Sequence, residues 1–154
     1  MSSETIVTGL FLISAVIAAG VLINAIFPAI YRTADTFGSV SSQADTKMRT
    51  DFKIVNTFAN ATHAKIWLKN VGSARLPATE VSLGDVYVGA VGNFERKSLS
   101  GNFEIEDSTN SFWDPGETLT ITVTSTLLPG SGGDVYVAVV LPNGVSRDLE
   151  FTRS

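Results

Sequence analysis

The 154-residue chain has no cysteine, so disulfides and thiol chemistry are excluded. It has one histidine, His63, and without thiolates the usual zinc ligand sets cannot be assembled. It has no basic cluster: 11 Lys and Arg are dispersed against 15 Asp and Glu, for a net charge of −4. Nucleic-acid binding therefore lacks an electrostatic footing. Strings that carry catalytic chemistry are missing too. There is no G-x-S-x-G elbow, no H-E-x-x-H helix and no phosphate-binding P-loop. The longest absence is of charge itself: between Glu4 and Arg32 lie 27 consecutive uncharged residues.

What fills that gap is "TIVTGLFLISAVIAAGVLINAIFPAIY". A cleaved secretory signal would carry a basic flank and a shorter apolar core, and no Lys or Arg precedes this run. A core helix of a domain this small would show a polar face. Over positions 10–30 the only strongly polar side chain is Asn24, with Ser14 mildly so. Roughly 20 helical residues cross the hydrocarbon of a bilayer, so the run is long enough to span. We expect an uncleaved helix lying in a membrane or in the core of a filament. Both environments want the same apolar surface.

Small residues are frequent in it: Gly9, Ser14, Ala15, Ala18, Ala19, Gly20, Ala25 and Ala29. Ser14 and Ala18, Ala15 and Ala19, and Ala25 and Ala29 are four apart, a spacing that lets a second helix approach each shared face. Other copies of the chain are thus expected partners, alongside membrane lipid. Pro28 should kink the helix, and Tyr31 with Arg32 suits a membrane interface. Beyond it Ile30, Ala34, Phe37, Val40 or Ser41, Ala44 and Met48 recur at spacings of three and four, predicting an amphipathic stalk to about residue 50. The basic residues after the run are offset by Asp35, Asp45 and Asp51, so flanking charge leaves the topology open; taken literally it would keep the head in the cytoplasm.

From Asp51 the period changes. "DFKIVNTFA", "HAKIWLKN", "DVYVGAV", "NFEIED", "TLTITVTS", "DVYVAVVLP" and "VSRDLEFTR" read as seven strands. In the first, Phe52 and Ile54 share a face and, after a slip, Val55 and Phe58 continue it. Turns at Asn70-Val71-Gly72, Asp114-Pro115-Gly116, 129–133 and Asn143-Gly144 separate the strands, the last being the strongest hairpin signal. The expected fold is α+β: residues 1–50 form a hydrophobic helix with its stalk, and 51–154 an antiparallel, immunoglobulin-like β-sandwich head.

Little in the head suggests chemistry. Glu104, Glu106, Asp107, Asp114 and Glu117 do not match a calcium-loop spacing and read as solvated carboxylates. His63 stands without catalytic partners and reads as structural. Trp67 and Trp113 read as core or sheet-face aromatics, with Trp113 also a candidate partner contact beside its turn. Asn60-Ala61-Thr62 is the one N-glycosylation sequon, at the turn between the first two strands. No catalytic residue, cofactor or metal site is assigned, and no enzymatic activity is expected.

A glutamate near the N-terminus, an unbroken apolar helix, a stalk and a sandwich resemble the type IV pilin and archaellin superfamily. With "RTDFKIV", "IWLKNVGSARLP", "DVYVGAVGNFER", "WDPGETLTITV" and "VVLPNGVS", the chain resembles more narrowly the archaeal flagellar protein G family. That resemblance implies a non-enzymatic archaellum accessory protein. It would be held in the cytoplasmic membrane with its sandwich outside, acting as stator or anchor, with the related flagellar protein F and surface-layer protein as partners. The lack of a basic leader before Met1 is expected of such a protein. The alternative is a filament subunit, in which Glu4 would stand for the pilin glutamate that pairs with a neighbouring N-terminal amine and the small-residue faces would pack the core.

Overall fold

The computed structural model describes residues 2–154. One helix, α1, runs unbroken over Ser3–Arg49. Glu4 lies in its first turn and Lys47 and Arg49 in its last, each of the sign that the helix dipole favours at that end. The helix continues through Pro28 without interruption. The described residues up to Ser42 form one compact unit and Gln43–Ser154 a second.

The last two turns of α1 belong to the second unit because their orphan polar groups are satisfied there. The Arg49 carbonyl accepts from the N–H groups of Ser73 and Ala74 at 2.9 and 3.0 Å. The buried Thr50 hydroxyl donates to the Thr46 carbonyl at 2.8 Å and accepts from the Asn143 amide at 3.0 Å. Arg147 pairs with Asp51 at 2.6 Å. Gly72 comes so close to this junction that a Cβ would meet the Arg49 carbonyl and the Asp51 N–H.

The second unit holds ten strands and one short helix. They are β1 (Phe52–Ala59), β2 (His63–Asn70), β3 (Leu76–Pro77), α2 (Ala78–Val81), β4 (Asp85–Ala90), β5 (Asn93–Ser98), β6 (Phe103–Ile105), β7 (Phe112–Trp113), β8 (Thr118–Thr124), β9 (Asp134–Val140) and β10 (Ser146–Thr152). Two four-stranded antiparallel sheets, β1-β2-β8-β6 and β10-β9-β4-β5, face each other, and β3 and β7 form a small third pair. Ala64, Ile66 and Leu68 of β2 with Leu119, Ile121 and Val123 of β8 meet Val86, Val88, Val135, Val137 and Val139 of the second sheet in a single core. Strict alternation is what allows this: every second residue points inward, and β-branched side chains fit the pleat.

Two expectations are corrected. Seven expected strands become ten, with β3, β5 and β7 in addition. The slip in β1 is a bulge between Ile54 and Asn56, as expected, but Val55 and Phe58 are exposed rather than continuing the inner face. The extra residue resets the alternation so that Ala59 is the next fully buried position.

Candidate helix-packing and anchoring surface

Nothing in α1 is buried, and its large apolar side chains from Ile6 to Ile30 stand in the open. Such a surface is not stable in water and requires cover. At 3.6 residues per turn, Ser14, Ala18, Ala25 and Ala29 fall within about 60° around the helix axis. They form one narrow line of small side chains. Ala15 and Ala19 flank it. Gly9 and Gly20 lie elsewhere, on a second line with Ile13, Ile17, Asn24, Phe27 and Tyr31, roughly 130° away. The rest of the circumference carries branched aliphatics.

The polar groups of this segment differ in what they leave unmet. Hydroxyls fold back onto the helix: Thr8 donates to the Glu4 carbonyl, Ser14 to Leu10, Thr33 to Ala29 and Thr36 to Arg32, each at 2.8 Å. Asn24 donates one amide hydrogen to the Gly20 carbonyl at 2.9 Å. A primary amide has two donors and an acceptor oxygen, so this bond leaves capacity over. Pro28, four residues on, has no N–H to return to the Asn24 carbonyl. Phe27 and Tyr31 stack at 6.2 Å just before Arg32, an aromatic pair followed by a cation as at membrane boundaries.

In the head, Trp113 is fully buried against Phe52, and its indole N–H donates to the Glu117 carbonyl at 3.0 Å. It is a core residue and, contrary to the expectation of a partner contact, presents no surface to one. The Asp-Pro-Gly turn instead folds it under: the Asp114 N–H bonds the Glu117 carboxylate at 2.8 Å, and the Gly116 N–H bonds the Asn70 carbonyl at 2.8 Å. Asp114 also pairs with Arg75, whose guanidinium lies 4.2 Å from the Phe112 ring centre. That carboxylate raises the Arg75 pKa above its ordinary value. Glu106 accepts from the Thr118 N–H, and Asp107 caps Thr109, whose hydroxyl pulls the Asp107 pKa down. Asp107, Asp114 and Glu117 thus serve local turns and Glu106 the start of β8, and among the described residues no group of three metal-ligating side chains converges.

Asn60 is exposed at the β1–β2 turn. Its side-chain oxygen accepts from the N–H groups of Thr62 and His63 at 3.0 and 2.8 Å, while the Thr62 hydroxyl bonds His63 Nδ1 at 2.7 Å. The Asn60 side chain is thus held by its oxygen in an exposed turn, of which His63 is part.

One surface was missed by sequence reasoning. Tyr87, Phe94 and Tyr136 gather on the outer side of the β10-β9-β4-β5 sheet, with ring centres 6.2 and 4.9 Å apart, beside a shallow hollow of about 300 Å³. The signal was present: "DVYV" occurs at 85–88 and again at 134–137, putting a tyrosine on the outer face of each of two neighbouring strands, Tyr87 opposite Ala138 and Tyr136 opposite Gly89.

Residues 2–151 match the archaeal-type flagellin family. An uncharacterized protein of Archaeoglobus fulgidus is 32% identical over 161 residues, spanning 99% of each chain. In fold, the chain is similar over its whole length to the archaeal flagellum of Methanospirillum hungatei strain JF1, with a TM-score of 0.72, 15% identity and 94% of that chain covered. It is also similar to the archaellum periplasmic stator protein FlaG from Sulfolobus acidocaldarius. There the TM-score is 0.52 and the identity 20%, over 66% of this chain and 99% of that one.

Proposed function

Because the chain belongs to the archaeal-type flagellin family, we propose that it is a non-enzymatic archaellum accessory protein. In this role α1 holds it in the cytoplasmic membrane and the sandwich works outside as a stator or anchor supporting swimming motility, touching surface-layer protein and a flagellar protein F. One observation carries this choice: from Ser14 to Ala29 one narrow line of α1 is built of small residues, and most of the remaining apolar circumference is bulky and unburied. A helix with one or two helical neighbours and lipid elsewhere needs that arrangement, because small residues gather where backbones approach. A helix enclosed on all sides by others would need close-approach positions around more of its surface.

The head supports the same role. Its edge strand β5 is guarded by Glu95, Arg96 and Lys97 against indiscriminate strand pairing. The aromatic surface of Tyr87, Phe94 and Tyr136 offers an apolar, hydroxyl-bearing face of the kind that protein contacts favour.

A filament-forming, archaellin-like subunit is the second reading. It is favoured by the whole-length likeness in fold to the Methanospirillum filament and by Glu4 in the first turn of α1. Fractionation separates the two. After filaments are sheared from cells, the proposal expects the protein in the membrane pellet, resistant to alkaline carbonate and released by detergent. Recovery in the sheared filaments would replace it with the second reading.

A further inference from the structure

We propose that α1 pairs in the membrane, parallel and in register, with a second copy of this chain through the face bearing Asn24. This rests on the membrane reading above. The other polar side chain of the segment from Gly9 to Ile30, Ser14, has spent its single proton on its own helix. Asn24 has not: one amide hydrogen and its side-chain oxygen remain after the bond to Gly20. At the same level Pro28 withholds the donor that the Asn24 backbone carbonyl would otherwise receive. A cluster of unmet polar capacity thus sits in the middle of an apolar helix, where hydrocarbon offers no partner and leaving it unpaired is costly.

The chemistry of the group identifies its occupant. A primary amide is self-complementary, being donor and acceptor at once. Copies inserted in the same direction bring equal residue numbers to equal depth, so one Asn24 can give its free N–H to the side-chain oxygen of the other and receive the reverse. The surrounding face suits such a seam. Ile13, Ile17, Gly20, Asn24, Phe27 and Tyr31 follow one another at spacings of four and three, the pattern of a left-handed helix pair. Gly20, one turn before Asn24, has nothing within 4 Å of where a Cβ would stand, so a neighbouring backbone can approach there. The Ser14-Ala18-Ala25-Ala29 line remains free for another helix, and a pair formed on that line is the competing outcome.

The absence of native cysteine makes the test clean. Single substitutions Ile17→Cys and Phe27→Cys on the Asn24 face, and Ala18→Cys and Ala25→Cys on the small-residue line, are made in the full-length protein. Each is inserted into phospholipid vesicles and oxidised. Ile17→Cys and Phe27→Cys should give disulfide-linked dimers in several-fold higher yield than the other two. Adding Asn24→Leu to Phe27→Cys should lower the linked fraction about fivefold, and Asn24→Gln should restore most of it. Linking that peaks at Ala18→Cys and Ala25→Cys, or a yield untouched by Asn24→Leu, overturns the pairing. Sedimentation before oxidation separates the two failures. Filaments in the pellet would sink the membrane reading as well, whereas chains dispersed in vesicles that do not link at these positions sink the pairing alone.

Discussion

Single residues in the head act mostly by satisfying others. Asn70 is 2% exposed, and its amide donates to the carbonyls of Ala74 and Trp113 at 3.0 and 3.1 Å while its oxygen accepts from the Gly72 N–H at 3.0 Å. Asn70→Leu keeps the branching of the side chain but removes the donor to two carbonyls, while the Gly72 N–H keeps its bond to the Asp51 carbonyl. It should cost about 2–4 kcal/mol, seen as a lower unfolding midpoint of the full-length protein in detergent. Trp113→Ala opens a cavity at the same place and should cost roughly 3–5 kcal/mol. Glu95 carries a pH signature. The hydroxyl of the buried Ser125, then the Lys97 ammonium, hold its carboxylate below the usual range. A depressed folded-state value means that the unfolded chain binds the proton more readily. The contribution is therefore complete above the ordinary glutamate value of 4.5 and is lost as pH falls below it. Glu95→Gln should lower stability slightly at neutral pH, converge with the parent protein at low pH and so flatten the acid limb of the stability–pH curve. An acid limb of unaltered slope would remove Glu95 from this account.

Among the elements, the two periods of the chain carried most of the fold. The apolar run and the stalk behind it predicted a helix to about residue 50, and α1 ends at Arg49. Strands β2, β4, β8 and β9 were legible because one face of each is buried, which imposes the alternation. β5 was not, since "NFERKS" is an edge strand exposed along most of its length, and hydrogen bonds to β4 alone hold it. β3 and β7 have two residues each, too few for any period. Trp113 could be read either way because sequence does not reveal that its turn folds the indole against Phe52. The junction of α1 and β1 was likewise invisible, since it rests on a backbone approach at Gly72. Gly72→Ala would press a methyl into the Arg49 carbonyl and the Asp51 N–H. It should lower the unfolding midpoint and speed hydrogen exchange at the Ser73 and Ala74 amides that cap α1.

For the molecule as a whole, family membership and fold leave one decision: what covers the 27 uncharged residues that no part of the chain buries. Lipid and a bundle of neighbouring helices both remove apolar surface from water, so hydropathy alone does not choose between them. The distribution of side-chain size supports the proposed membrane reading, since bulk around most of α1 and smallness along narrow lines suits a helix with few neighbours. The most direct measurement is oxygen accessibility of nitroxides placed one at a time on single cysteines from Leu10 to Ile30, in native membranes of a cell carrying the archaellum machinery. The account predicts high oxygen and low polar-reagent accessibility around most of the helix, with a trough confined to the Asn24 and small-residue lines. Uniformly low accessibility to both reagents around the whole circumference would mean that protein encloses α1, and would contradict it.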